Sequence, residues 1–227
     1  MTTVSYDRYA DTGRATLVPL LVDPATGRPR NIDLEVTPHL LVTAPTGSGA
    51  TSVLRFVAAH TARHKMDVQI VDFKRVAFRG LAAAGLSMHT DPEPIAEAVT
   101  DFVTGLEIKL EALDGRAPAS RRVLVVDGLE RLRKVLVGVG PDRMSALSAL
   151  EKVVTLGRAG GYHLVASTTR QAAAGRELRV FRDCSAVLTL GSRPAGVGVG
   201  EFEDYDGPGP VRTAYVTDDE ARQLVTR

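Results

Sequence analysis

Cysteine is almost absent from this sequence: Cys184 stands alone, so no disulfide bond can form within the chain. Chains without disulfides are typical of reducing compartments, and we therefore expect a cytoplasmic protein. Long apolar runs are absent as well. No stretch approaches the roughly 18 consecutive apolar residues of a membrane-spanning helix, and the N-terminus lacks the positive-then-apolar pattern of a secretory signal. The sequence thus predicts a soluble protein with no membrane segment.

A strong net charge is also absent, because the formal charge is only +1 over 227 residues. Bulk charge therefore does not indicate nucleic-acid binding, although a local cationic patch can still bind DNA. Lysine is scarce, and arginine carries most of the positive charge. The lysines are Lys65, Lys74, Lys109, Lys134 and Lys152. The length allows one large core but not two full domains.

Apolar stretches and turn signals alternate along the chain. An apolar stretch at 15–22, a turn sequence at 23–27 and an alternating stretch at 31–35 together predict a β-hairpin. Beyond His39, short apolar stretches typical of buried strands alternate with amphipathic helices. The predicted strands after the hairpin lie at 40–42, 68–71, 123–127, 163–167, 186–190 and 211–216. This alternation predicts an α/β fold with a parallel sheet covered by helices on both faces.

We divide the chain into two parts. Residues 1–36 form an N-terminal tail and the short β-hairpin, and residues 37–227 form the α/β domain. The segment from Gly191 to Pro210 is rich in glycine and proline, with a run of acidic residues between them. That composition is typical of a surface loop, which we expect there.

A glycine-rich loop follows the strand at 40–42 and precedes an amphipathic helix, which is the context of a Walker A motif. Glycines allow backbone N–H groups to surround a phosphate, and a helix N-terminus adds a positive dipole. The candidate nucleotide-binding residues are Thr46, Gly47, Ser48, Gly49, Ala50, Thr51 and Ser52. ATP is the expected ligand, and Thr51 stands where the hydroxyl that binds Mg²⁺ belongs.

Two positions depart from the Walker A pattern. Ala44 replaces the leading glycine, and Ala50 occupies the lysine position. Loss of one charge-assisted hydrogen bond costs about 1.5–3 kcal/mol of binding free energy. Binding of ATP and Mg²⁺ is therefore expected to be weak or absent. The alternative interpretation of this loop is a glycine-rich turn that binds no ligand.

The segment from Arg122 to Asp127 is typical of a Walker B strand, whose terminal aspartate binds Mg²⁺. Asp127 and Thr51 are accordingly the candidate metal ligands. Gly128 follows, where such ATPases have the glutamate that polarises the attacking water, and Glu130 is not expected to replace it. Ala50→Lys combined with Gly128→Glu is expected to strengthen ATP binding. The alternative interpretation is a plain buried strand that ends in a polar residue.

Several motifs in order along the chain resemble the FtsK/SpoIIIE family of DNA translocases, which shares its domain with type VII secretion ATPases. Asp72-Phe73-Lys74 resembles the Asp-Pro-Lys that ends the family's second strand. The stretch from Gly157 to Leu164 matches a characteristic family segment, and Ser167-Thr168-Thr169-Arg170 resembles the sensor stretch Ala-Thr-Gln-Arg. Pro38 to Val42 and Tyr215 to Glu220 also match. The resemblance covers residues 16–227.

This resemblance implies a RecA-like P-loop NTPase fold, a ring-shaped oligomer and double-stranded DNA as the usual substrate. It also implies that Thr168, Arg170 and Arg158 act in the sensor or at a subunit boundary, where an arginine completes a neighbouring nucleotide site. A local salt bridge is the alternative role of the two arginines. The departures at Ala50 and Gly128 predict that the isolated protein hydrolyses ATP at or near background. No catalytic residue is assigned.

Two functions are consistent with these observations. The first is a degenerate motor subunit that binds nucleotide weakly at most and acts in DNA translocation or transfer, in a ring with itself or with an active homologue. The second is a non-catalytic regulatory or adaptor module of a secretion or transfer machine, without DNA binding. A basic stripe on the ring-forming surface favours the first, and a large apolar patch favours the second.

Other polar residues have ordinary explanations beside functional ones. His60 and His64 have a spacing that suits a metal, but an interaction with the helix dipole explains them as well. A basic cluster flanks the strand at 123–127 and either faces DNA or a neighbouring subunit or forms a solvated surface. The members of this cluster are Arg121, Arg122, Arg131, Arg133 and Lys134. Cys184 is expected to pack in the core.

Overall fold

The computed structural model describes residues 12–138, 143–191, 197–205 and 207–226, except for the side chains of 143–147, 149 and 177. One ten-stranded sheet runs through the described residues. The strands are β1 (Leu17–Val22), β2 (Pro29–Asp33), β3 (Leu40–Thr43), β4 (Asp67–Val71), β5 (Ser87–His89), β6 (Arg122–Asp127), β7 (Tyr162–Thr168), β8 (Ala186–Leu190), β9 (Val199–Asp204) and β10 (Gly207–Thr213).

Eight helices and one 3₁₀ turn at Arg176–Leu178 accompany the sheet in the described part of the chain. They are α1 (Ala50–Arg63), α2 (Arg79–Ala83), α3 (Pro92–Ala112), α4 (Leu129–Gly138), α5 (Arg143–Gly160), α6 (Arg170–Ala173), α7 (Arg179–Asp183) and α8 (Asp218–Thr226). No described helix is long and apolar enough to cross a membrane.

The strand order is β2-β1-β10-β9-β8-β3-β7-β6-β4-β5. The six strands from β8 to β5 pair in parallel, and β7 lies between β3 and β6. The carboxyl ends of β3, β6 and β7 therefore meet at one edge of the sheet, where loops can form a ligand site. The predicted α/β fold with a mainly parallel sheet is confirmed.

Successive residues of a central strand contribute to opposite cores, as the pleat requires. In β6, Val123 and Val125 pack in the core that contains α1, α2 and α8. Leu124 and Val126 pack in the core that contains α3, α4 and α5. Both faces of the sheet are thus covered by helices, which is why the central strands are mostly apolar.

The N-terminal hairpin is continuous with this sheet. Gly27 adopts φ 70°, and the Asp23 carboxylate accepts hydrogen bonds from two backbone N–H groups of the turn between β1 and β2. β1 also pairs with β10, so the hairpin extends the sheet by antiparallel pairing. The boundary at 36/37 stays a prediction, and residues 1–11 of the tail lie outside the described residues.

The expectation of a surface loop from Gly191 to Pro210 is wrong for most of the residues described there. β9 and β10 form an antiparallel pair within the sheet. A side chain at Gly200 would lie 2.2 Å from the carbonyl oxygen of Thr189, so this glycine allows β9 to approach β8. The prolines of β10 precede Arg212 and Thr213, where pairing with β1 occurs, so they lie along an open edge that tolerates a missing N–H. Residues 192–196 and 206 lie outside the described residues.

Candidate nucleotide-binding site

A cleft of about 670 Å³ opens at the edge of the sheet where β3, β6 and β7 end. Its walls come from the loop before α1 and from the loops that follow β4, β6 and β7. The lining residues are Ala44, Pro45, Thr46, Gly47, Gly49, Ala50, Thr51, Ser52, Arg55, Lys74, Ala77, Asp127, Gly128, Glu130, Arg131, Ser167, Thr168, Thr169, Val197 and Tyr215. Most of the predicted nucleotide-binding residues therefore line one cavity, and Asp127 and Thr168 lie in it as well.

The loop before α1 is built on two glycines in the left-handed region. Gly47 has φ 83° and Gly49, which precedes the helix, has φ 104°. Ser48 donates its N–H to Pro45 within the loop. The N–H groups of the other candidate residues donate no hydrogen bond to any residue that the structure describes; they belong to Thr46, Gly47, Gly49, Ala50, Thr51 and Ser52. These free donors at a helix start form a site for an anion such as phosphate.

Asp127 is the polar centre of the cleft and is only 6% exposed. Its Oδ1 accepts a hydrogen bond of 2.8 Å from Ser167 Oγ. Its Oδ2 accepts one of 3.1 Å from Thr51 Oγ1 and one of 2.8 Å from Lys74 Nζ. The structure thus brings together the two predicted metal ligands, Thr51 and Asp127.

The donor set fits Mg²⁺ only in part. A hydroxyl and one carboxylate are ligands that Mg²⁺ uses when phosphate oxygens and water complete its octahedral coordination. No group of three or more His, Cys, Asp or Glu side chains suited to a metal occurs among the described residues. Thr51 and Asp127 can therefore hold Mg²⁺ together with a bound phosphate, but not as a cage made by the protein alone.

Gly128 cannot easily be replaced by glutamate, because its φ is 116°. Residues with a side chain rarely adopt that conformation. Glu130 instead lies in the first turn of α4, and its Oε2 accepts a hydrogen bond of 2.8 Å from Thr168 Oγ1. The sequence alone does not predict Glu130 as a residue of the site. Glu130 lies next to β7 because α4 begins at Leu129, directly after Gly128. A helix start predicted at that position would have identified Glu130 as a site residue.

Lys74 is a further site residue that the sequence did not predict, although the motif Asp72-Phe73-Lys74 resembles one of the family's. Asp72 is fully buried and accepts hydrogen bonds from the backbone N–H groups of Lys74 and Ala77, at 2.9 and 2.8 Å. These two bonds fix the loop after β4. As a result the Lys74 side chain extends over the carboxyl ends of β4 and β6, beside Asp127.

The predicted sensor residues separate in the structure. Thr168 lines the cleft, but neither Arg158 nor Arg170 does. The Arg170 guanidinium donates a 2.8 Å hydrogen bond to the carbonyl of Leu190 in β8. Arg158 is exposed near the end of α5. Ser52, a predicted nucleotide ligand, uses its buried hydroxyl to bond the backbone of Val216, where it accepts the N–H at 2.6 Å.

The remaining candidates have structural partners. The His60 ring stacks on Phe56 and contacts His64 in the last turn of α1. Arg121 pairs with Glu35 and Arg122 pairs with Asp67, while Arg131 lines the cleft. Cys184 is only half-buried and packs at the margin of the core that contains α3 to α5.

No family model matches the chain. Among curated proteins it is similar to DNA translocase FtsK of Staphylococcus epidermidis, with 22% identity over 174 residues that cover 64% of this chain and 21% of the relative. It is also similar to DNA translocase FtsK of Treponema pallidum, with 25% identity over 193 residues that cover 73% of this chain and 23% of that relative. The chain thus spans less than a quarter of the length of these relatives.

Solved structures share the fold. The pCW3 conjugation coupling protein TcpA, a monomer form with ATPγS, has a TM-score of 0.83 at 18% identity and covers 99% of this chain and 73% of that one. EssC (ATPases 2 and 3) of Geobacillus thermodenitrificans has a TM-score of 0.78 at 15% identity, and the match covers 95% of this chain and 45% of EssC. The cytoplasmic domain of the type VII secretion ATPase EccC of Thermomonospora curvata has a TM-score of 0.71 at 20% sequence identity. The match covers 88% of this chain and 26% of EccC. The chain therefore has the fold of P-loop ATPase domains and resembles FtsK/SpoIIIE-type translocases.

Proposed function

We propose that this protein is a degenerate FtsK/SpoIIIE-like P-loop subunit that binds ATP weakly and acts in DNA translocation or transfer within a ring assembly. The observation that supports this most directly is the set of backbone N–H groups between Thr46 and Ser52, all but that of Ser48, that have no acceptor among the described residues and lie next to the hydroxyl of Thr51 and the carboxylate of Asp127. A glycine-rich turn that binds no ligand does not require a buried carboxylate, such as that of Asp127, beside it.

The phosphates of ATP bind the loop through these N–H groups and through the dipole of α1. Thr51 and Asp127 hold Mg²⁺ together with the phosphates, and the ion supplies neutralisation of the phosphate charge when bound. Ala50 contributes no side-chain charge, so the affinity is below that of a complete Walker A loop.

Hydrolysis by the isolated protein stays at or near background. Gly128 has no side chain to orient water, and the carboxylate of Glu130 is held by Thr168 at 2.8 Å. Since Arg158 is exposed and lies outside the cleft, we assign it to a subunit boundary, where it faces the nucleotide of a neighbour. Arg170 supports the same boundary from the start of α6.

Double-stranded DNA and a second P-loop subunit, identical or active, are the partners that fit this function. Support comes from relatives that are DNA translocases and from a structural neighbour that is a conjugation coupling protein. A cytoplasmic location belongs to the proposal because two structural neighbours are cytoplasmic domains.

The test combines calorimetry with ATP and Mg²⁺, native mass spectrometry and an ATPase assay with and without duplex DNA. We expect saturable weak binding, turnover at background and an oligomer whose DNA affinity falls steeply with salt. Robust turnover by the pure protein that Asp127→Asn abolishes would show that the site is not degenerate.

A second candidate is a non-catalytic adaptor of a secretion or transfer machine. It is favoured by the Lys74–Asp127 ion pair, which gives the buried acid a counter-charge from the protein itself. An adaptor binds neither nucleotide nor duplex DNA, and its oligomeric mass is the same with and without ATP. The experiment above therefore separates the two functions.

A further inference from the structure

The loop from Ala44 to Ser52 contains no basic residue. A triphosphate that binds there meets backbone N–H groups and hydroxyls, but no cation from the loop itself. Burial of several negative charges without a positive partner is costly. A cation that another element of the fold brings to the cleft therefore strengthens nucleotide binding beyond what the N–H groups and Mg²⁺ supply.

Lys74 has the required position. Its Nζ lies 2.8 Å from Asp127 Oδ2, the same oxygen that accepts a hydrogen bond from Thr51 Oγ1 at 3.1 Å. Thr51 is the second residue of α1. The ammonium consequently lies beside the helix start, where the free N–H groups direct an anion.

The Lys74 backbone is fixed, but its ammonium group is not enclosed. Asp72 holds the loop through the N–H groups of Lys74 and Ala77. The Lys74 side chain is 47% exposed, whereas its partner Asp127 is 6% exposed. A flexible lysine side chain in this setting can move from a carboxylate to a phosphate oxygen without any change in the loop.

Among the described residues, two other cations line the cleft, and both are less suitable. Arg55 donates to the carbonyl of Ala77 and lies 3.8 Å from Asp218, so its charge is already used. Arg131 packs beside Gly128 at the start of α4 and is exposed. Unlike Lys74, it forms no hydrogen bond or ion pair with Asp127 or Thr51 in the described structure.

We propose that Lys74 is the cationic partner of the nucleotide phosphates and takes the place of the lysine missing at Ala50. This inference rests on the proposed function, in which the cleft binds ATP. In the protein without nucleotide, Asp127 holds the ammonium. When the phosphates bind, Lys74 moves to their oxygens and releases Asp127 Oδ2, the carboxylate oxygen that would hold Mg²⁺.

The experiment compares the affinity for ATP, with and without Mg²⁺, in a set of single and double variants. Lys74→Met removes the charge but keeps the length of the side chain. Lys65→Met is the matched control, because Lys65 is exposed just beyond the far end of α1, about 20 Å from the loop. Arg131→Met tests the competing cation, and Ala50→Lys in the Lys74→Met background tests whether the charge can be moved back.

We expect Lys74→Met to weaken ATP binding about ten- to hundredfold, the loss of one charge-assisted hydrogen bond. Lys65→Met should have no effect, Arg131→Met should have the smaller effect, and Ala50→Lys should restore the lost affinity. Equal affinities of the unaltered protein and Lys74→Met overturn this inference alone, as does a larger loss in Arg131→Met. Absence of binding by both the unaltered protein and Ala50→Lys contradicts the proposed function itself.

Discussion

Thr168, the last residue of β7, donates a 2.8 Å hydrogen bond to the carboxylate of Glu130 in the first turn of α4. Its neighbour Ser167 donates an equally short bond to Asp127. Two consecutive residues of one strand thus fix both acids of the cleft. The acids can keep these positions only if the chain turns sharply between them, and Gly128 makes that turn with φ 116°.

The conformation of Gly128 predicts that substitution there is costly. Gly128→Ala and Gly128→Glu should each lower the free energy of unfolding by about 1–3 kcal/mol, because a side chain at this φ is strained. Gly138→Ala is the matched control: Gly138 ends a helix and a Cβ there meets no described atom within 4 Å, so the change should be neutral or slightly stabilising. Urea unfolding measures all three variants.

The conformation of Gly128 also changes what is expected of the double variant Ala50→Lys with Gly128→Glu. Gly128→Glu adds strain as well as a carboxylate, so the combination of Ala50→Lys with Gly128→Glu should bind ATP no better than Ala50→Lys alone. If Gly128→Glu instead leaves stability unchanged and adds turnover, the left-handed turn at Gly128 does not limit the chemistry.

Asp72 is predicted to determine the loop that carries Lys74. Asp72→Ala removes a fully buried acceptor of two backbone N–H groups, and each N–H left unpaired costs about 1–3 kcal/mol. Stability and ATP affinity should fall together in this variant. Asp67→Ala is the comparison, because Asp67 is half-exposed and pairs with Arg122 near the surface. It should lose less than about 1 kcal/mol. A loss confined to stability would show that the loop does not position Lys74.

Two buried histidines predict a dependence of stability on pH. Burial, with the nearby His163, lowers the pKa of His39 to about 3, and burial lowers the pKa of His163 to about 4. Both rings are therefore neutral in the folded protein down to those values, while the unfolded chain binds protons below about pH 6.5. The free energy of unfolding should fall as the pH is lowered from about 6.5 to 4, by up to about 1.4 kcal/mol per pH unit for each histidine.

The measurement is urea unfolding between pH 7 and pH 5, in the unaltered protein and in His39→Gln. The His39 Nδ1 accepts the N–H of Leu164 at 2.9 Å, and a glutamine oxygen can accept the same N–H, so the variant removes mainly the titration. The free energy of unfolding should change less steeply with pH in His39→Gln than in the unaltered protein. Equal slopes in the two proteins would show that His39 is not neutral and buried as described.

The sequence predicted the parts of the fold that depend on periodicity. Apolar strands that alternate with amphipathic helices are found within a few residues of the predicted positions. Two glycines of the segment from Gly157 to Leu164, at the end of α5, have a packing role. A side chain at Gly157 would lie 2.4 Å from the carbonyl of Tyr162, and one at Gly160 would lie 2.4 Å from Leu106.

The rest depends on contacts between distant segments, which composition does not encode. Gly200 and the prolines of β10 were typical of a loop, yet they permit close strand approach and form an open sheet edge. Lys74 and Asp127 are far apart in sequence and meet because β4 pairs with β6. The walls of the site could be predicted from the motif, but the cation that approaches from the neighbouring strand could not.

Ala50→Lys tests the nucleotide site most directly, by calorimetric titration of ATP with Mg²⁺. Ala50→Met is the matched control, with a side chain of similar length and no charge. We predict that Ala50→Lys tightens binding about tenfold to a hundredfold relative to the unaltered protein, and that Ala50→Met does not tighten it. If Ala50→Lys is folded and binds ATP no better than Ala50→Met, both with Lys74 present and in the Lys74→Met background, the loop from Ala44 to Thr51 is only a turn, and the cleft is not a nucleotide site.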